Sequence, residues 1–226
     1  WSFISSIFNF DNLTGKDDGD HVCSGISEHI RVVLTSIAKL DVKSRRVTYE
    51  NKSKDLDLDY YIDGSMTMSG ERRNIYVSIV NANSGSNLWS DQFQFKDDNI
   101  LAYQDTIIQR ILTELKIAPN ENEITSSMNS YKNSEAFKLM GKGVYHFDMK
   151  NYKEAIRAFD SVLKSDPQNI VAIYNKANAY YELDNFTGAM KLYQQIFDQS
   201  IDIDPIQLRL PVPKKNDMHP ILCENI

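Results

Sequence analysis

The residues best equipped for chemistry crowd into one short stretch: Asp17, Asp18, Asp20, His21 and Cys23. Closely spaced carboxylates invite comparison with a calcium loop, which needs alternating oxygen ligands and a closing glutamate. That spacing is missing, so the run reads as a solvated loop feeding the helix after it. His21 and Cys23 would make half of a zinc site, but no second pair stands at ligand spacing. His29 and His146 fall within helical segments and His219 in the C-terminal stretch, none with a partner evident in the sequence. Ser24-Gly25 and Ser69-Gly70 lack the G-x-S-x-G frame of a nucleophile elbow. No Walker loop and no GxGxxG occurs. Asp and Glu abound, yet nothing sets two of them across a pocket. The expectation is a non-enzyme with no metal and no cofactor.

The bulk numbers narrow the class. A chain of 226 residues makes one large domain or two ordinary ones. Hydrophobic residues at 42% and charged residues at 25% give a normal core and a soluble surface. A net charge of −6 disfavours nucleic acid unless basic residues cluster. The densest basic group, Lys43, Arg45 and Arg46, is followed closely by acids. Cys23 and Cys223 form no disulfide framework and no CxxC motif. So low a cysteine count fits a reducing compartment and many bacterial envelope proteins alike. No apolar run is long enough to span a membrane, and no signal peptide is visible. The chain opens on Trp1, which points to a fragment or a processed product. Asn12-Leu13-Thr14, Asn51-Lys52-Ser53 and Asn185-Phe186-Thr187 match the glycosylation sequon, the third inside a helical pair.

The elements that must position these residues change character along the chain. SFISSIFNF (2–10) reads as a strand and DNLTGKDDGD as a polar loop. Ile26, Ile30, Val33, Leu34, Ile37 and Leu40 recur at helical spacing over 24–40. Residues 42–48 read as a second strand and 50–58 as a charged loop. Three strands follow, at 59–68, 74–82 and 86–95, joined by short loops carrying Gly70 and Gly85, which implies an antiparallel meander. A helix over roughly 99–116 buries Ile100, Tyr103, Ile107, Ile108, Ile111, Leu112 and Leu115. Residues 118–134 are polar, with Pro, Asn and Ser, and read as a linker. Trp89, in the last strand, raises the question of whether SGERRNIYVSIVNANSGSNLWSD (69–91) builds a pocket or a scaffold. The expectation is scaffold, with the indole a shelf under the helix that follows.

The second half repeats itself. Gly143 matches Ala177, Phe147 matches Tyr181, Asn151 matches Asn185 and Tyr152 matches Phe186. Ala155 matches Ala189, Phe159 matches Tyr193 and Val162 matches Ile196. Small meets small and aromatic meets aromatic, the mark of a stacked helix–turn–helix unit. Gly143 and Ala155 are small because paired helices cross there, and Pro167 ends the first unit. The stretch 136–198 resembles the tetratricopeptide repeat family. It departs from that family at His146, where an aromatic is usual, and at Ser200–Pro205, which does not repeat the Asp-Pro ending. In that family the first helix of each pair lines a concave groove. The resemblance puts Phe137, Met140, Val144 and Phe147 on the groove in the first repeat. It puts Val171, Tyr174, Asn178 and Tyr181 there in the second. Aromatics and a methionine suit an apolar peptide anchor. The competing expectation is that two repeats fold against the preceding domain and bury part of that face, since about three are usually needed to stand alone.

FDNLTGKDDGDHVCSGISEHI (10–30) and YYIDGSMTMSGERRNIYVSIVNANSGSNLWSDQF (60–93) are similar to the TolB amino-terminal-like domain of the adenylate-cyclase-associated type. It departs from this family at Phe8-Asn9-Phe10, where Leu-Pro-Phe is usual, and at the shortened stretch 52–59. The resemblance implies an α/β domain with an antiparallel strand meander and packed helices over 1–117. A linker at 118–134, two tetratricopeptide repeats over 135–200 in an all-α module and an irregular tail at 201–226 complete the expected organisation. It implies no active site. The expected role is protein–protein interaction, regulatory or scaffolding, in a larger cytoplasmic bacterial signalling protein, with a protein or peptide partner and a fused output domain upstream. The alternative is an envelope assembly component of the TolB or curli-secretion kind, periplasmic behind a signal sequence.

Overall fold

A computed structural model describes residues 3–16, 18–37, 39–43, 57–96, 100–119 and 133–199. Among the described residues six strands come first, interrupted by one helix: β1 (Phe3–Ile7), β2 (Asp11–Asn12), α1 (Asp18–Ser36), β3 (Leu40–Val42), β4 (Tyr60–Ser69), β5 (Arg72–Asn81) and β6 (Asn87–Phe95). The remaining elements are helical: α2 (Ile100–Glu114), α3 (Ser134–Asp148), α4 (Tyr152–Ser165), α5 (Ile170–Glu182) and α6 (Phe186–Gln199). The strands form one mixed sheet in the order β3-β1-β4-β5-β6, with β2 also pairing β4. β1 runs parallel to both neighbours, and β4, β5 and β6 are the antiparallel meander expected from the alternation.

The meander is built by its turns. Gly70, at φ 63°, and Glu71 form the two-residue connection that sets Ser69 opposite Arg72. In the second turn the Asn81 side-chain oxygen accepts from the amides of Asn83 and Ser84. A bulge between Ile79 and Val80 follows, and both side chains are buried. Gly64 lies in mid-strand because a Cβ there would stand 2.3 Å from the Tyr76 carbonyl and 2.8 Å from the Phe10 ring. The glycine lets the Phe10 ring approach the strand backbone. Trp89 is half-buried, with the Arg110 guanidinium of α2 5.9 Å above its ring and Phe93 beside it. It is a shelf between β6 and α2, part of the scaffold.

Two boundaries differ from the sequence expectation. α1 begins at Asp18, a full turn and more before the apolar period starts, so Asp18 and Asp20 sit in its first turn. Carboxylates are favoured there by the helix dipole, and Asp18 also accepts from the buried Arg73 of β5 at 2.7 Å. Asp18 and Asp20 thus belong to the helix rather than to a loop before it. At the other end α1 stops at Ser36; a turn closed by Leu40 N–H to Ile37 carbonyl lets Leu40 start β3 beside Phe3. The strand expected at 42–48, the linker at 118–134 and the tail at 201–226 lie wholly or largely outside the described residues.

A continuous apolar core runs from Ile7, Ile62 and Ile75 on the sheet through Ile26, Ile30 and Leu34 of α1. It continues into Phe137, Met140 and Phe159 of the helical half. A smaller cluster of Ile173, Ala177, Ala189, Tyr193 and Ile196 holds the last helix pair.

Candidate functional site

The face expected to receive a partner is built by α3 and α5, the first helices of the two pairs. Each is capped the same way. The Asn133 side chain accepts from the Ala136 amide, and the Asn169 side chain from the Ala172 amide. Within each pair the crossing is tight. A Cβ on Gly143 would stand 2.4 Å from the Phe159 ring of α4, as the repeat pattern anticipates.

Phe137, Met140 and Val144 fall at helical spacing on one face of α3, and none is more than 1% exposed. What covers them is α1. The two helices approach so closely that a Cβ on Gly141 would stand 2.1 Å from the His21 carbonyl and 3.1 Å from the Gly25 Cα. A Cβ on Gly25 would in turn press on the Phe137 ring. Glycine facing glycine removes the side chains that otherwise hold two helices apart.

The second repeat meets the same helix through polar groups. Glu28 and Arg31 of α1 are both buried and pair at 2.8 Å. Arg31 also donates to the Ile7 carbonyl at the end of β1. The buried Asn175 amide of α5 donates to the other Glu28 oxygen at 3.0 Å and to the Val171 carbonyl. Val171 is buried beside this knot. Burial pushes the Tyr174 phenol up to about 12, with Glu28 adding to the effect. A further strap joins the Asn9 side chain, in the β1–β2 connection, to the buried Asp148 carboxylate at the end of α3.

Four of the eight residues assigned to an open groove, Phe137, Met140, Val144 and Val171, are thus buried in the core continuous with α1, and Tyr174 flanks the knot. The others serve the repeats themselves. Phe147 meets Tyr152 edge-on at 5.3 Å, and Tyr181 meets Phe186 at the same distance one repeat later. Asn178 accepts from the Tyr193 hydroxyl at 2.6 Å. The physical reason for this burial is that α1 is covered nearly all round, with Glu28, His29 and Arg31 buried among its apolar residues. It packs on the sheet with one side and needs a second cover for the other. Glu28, Arg31 and Asn175 were not anticipated; a Glu-x-x-Arg pair inside the apolar stripe of α1 was the available signal.

The early candidates for chemistry also resolve. Cys23 is buried, and desolvation pushes its thiol up to about 12, so it stays protonated at neutral pH and is neither nucleophile nor ready ligand. Among the described residues no group of three His, Cys, Asp or Glu is placed to hold a metal. No helix among them is long and apolar enough to cross a membrane. His21 lies at the α1–α3 contact, its ring 5.1 Å from Tyr145 and 6.0 Å from His146. Burial, then His146 and Lys142, hold its pKa below the usual 6.5, against a smaller opposing pull from Asp20 and Asp18. The unfolded chain therefore takes up this proton first as the pH falls. Stability is expected to be intact above about pH 6.5 and to decline as the pH drops through the lower folded value. Thermal melts between pH 8 and pH 5 check this, and His21→Gln is expected to flatten the profile.

The fold and this face define an α/β unit seated in a pair of helix–turn–helix repeats. The tetratricopeptide repeat family model matches residues 146–202, within the helical half. Over 85% of its length the chain is 25% identical to a Rhizobium meliloti (strain 1021) protein named adenylate cyclase 3, and it spans 37% of that relative. Among solved structures it is similar to TolB from Acinetobacter baumannii. That likeness has a TM-score of 0.40 at 8% identity and covers 54% of this chain and 30% of that one. It is also similar to the LpoB C-terminal domain from Salmonella enterica, with a TM-score of 0.34 at 10% identity, covering 42% and 83%.

Proposed function

We propose that this chain is a non-enzymatic interaction module, with a regulatory or scaffolding role, in a larger cytoplasmic signalling protein of a bacterium. The observation that carries this reading is the seating of α1 against both first helices of the repeats. An open groove would make the repeats a free-standing receptor. A filled groove ties them to the sheet, so a partner engaging one half bears on the other. The long match to part of a protein named for adenylate cyclase supports an output domain of that class on the same polypeptide. In this reading nucleotide chemistry belongs to that domain, and the repeats contribute protein contacts.

Top-down mass spectrometry of the native polypeptide, joined to its coding sequence, tests the first half. A cyclase, kinase or DNA-binding domain on the same chain is expected. A cleaved signal sequence with little else would refute the reading. The second half is tested in that intact protein by Asn175→Ala, which loosens the α1–α5 contact. A changed output activity is expected, and an unchanged one would show that the contact is only architectural.

A further inference from the structure

The face of the sheet turned away from the core holds an open cleft of about 520 Å³. Alternation along the strands and the register between them put Tyr61, Asp63 and Ser65 of β4, Tyr76 and Ser78 of β5 and Asp11 of β2 on that face. Phe8 closes one side, meeting Tyr61 edge-on at 5.3 Å. Tyr76 stands 41% exposed on the other, a large ring that the fold does not use. Asp63 is half-buried between them, with Asp11 exposed at the rim.

Among the described residues no Lys, Arg or His forms an ion pair with Asp63 or Asp11. Burial, reinforced by the negative charge of Asp11, pushes the Asp63 carboxyl above its ordinary range. A half-buried carboxylate beside a second one opposes folding, and no cation among the described residues offsets it. Two acids in an aromatic-walled cleft complement an organic cation. A planar guanidinium satisfies both features at once, donating to the carboxylates at its edge and stacking against the rings at its face. A cleft this open would leave a small free molecule mostly in water, whereas a side chain held by surrounding protein surface needs no enclosure.

We propose that this cleft is a docking site for an arginine or lysine side chain presented by a protein partner. It is separate from the face filled by α1 and does not depend on the function proposed above.

The test is an NMR titration of the 226-residue chain with the peptide acetyl-Gly-Arg-Gly-amide. Parallel arms use its lysine and citrulline counterparts, free guanidinium chloride and calcium chloride. The proposal expects saturable shifts centred on Asp63, Ser65 and Tyr76 with the arginine or lysine peptide and none with citrulline. Asp63→Asn is expected to weaken the peptide by about tenfold while leaving the melting temperature equal or higher. Tyr76→Ser, at an exposed ring, is expected to weaken it without disturbing the fold. The proposal is overturned if citrulline shifts the same residues, if neither variant weakens binding, or if Asp63→Asn lowers the melting temperature. Free guanidinium or calcium binding as tightly as the peptide would also overturn it, assigning the cleft to a small cation.

Discussion

Glu28→Leu is expected to lower stability by about 3–5 kcal/mol, because it leaves Arg31 charged and buried without its carboxylate. Arg31 keeps the Ile7 carbonyl as an acceptor, but one neutral acceptor does not replace an ion pair at 2.8 Å. Asn175 loses one of its two acceptors in the same step, keeping the Val171 carbonyl. The triple variant Glu28→Leu, Arg31→Leu, Asn175→Leu is expected to recover most of the loss, since apolar groups of similar volume replace buried ion pairs at little net change. Urea denaturation of the three single variants and the triple measures both claims. A triple variant as unstable as the sum of its singles would mean that the knot is a true source of stability. Recovery would mean that its contribution is to set the register of α1 against α5.

Gly141→Ala is the second large effect expected. A methyl there gains about 1 kcal/mol in helix propensity, but it would sit 2.1 Å from the His21 carbonyl. That neighbour is backbone inside a packed helix and cannot swing aside. Relief requires α1 and α3 to separate, and overpacking of this kind costs about 3 kcal/mol or more. Gly143→Ala is the informative comparison. Its obstacle is the Phe159 ring at 2.4 Å, which belongs to a side chain and can shift. A melting temperature that falls more for Gly141→Ala than for Gly143→Ala bears out the argument. Equal falls would mean that the α1–α3 crossing has slack to give.

The local grammar of this chain was legible and its assembly less so. The meander could be read because alternation and glycine turns act over a few residues. The matched small and aromatic residues, 34 apart, likewise exposed the helix pairs, but not that Phe147 meets Tyr152 and Tyr181 meets Phe186 edge-on. α1 began earlier than its apolar period because its first turn is held by a dipole and by Arg73, neither of which leaves a hydrophobic trace. The groove residues were read as a surface for a peptide partner, whereas Phe137, Met140, Val144 and Val171 are buried within this chain. Sequence periodicity says that a face is apolar; it does not say whether the cover is another protein or a helix more than a hundred residues earlier in the same chain. The Asp63 cleft escaped notice for a related reason. Its acids stand on different strands, and only the register of β2 on β4 brings them together.

The glycine crossing has a consequence for inheritance. Repeat modules are ordinarily the parts of a protein most freely shuffled, since each contacts only its neighbours. Here a recombination event between α2 and α3 would pair a foreign helix with an α1 that carries Gly25, Glu28 and Arg31. It would succeed only if the incoming segment brought a glycine and an asparagine at the matching positions. Exchanging the repeats alone is therefore expected to cost stability unless both contacts are rebuilt, which favours inheriting the two halves as one unit.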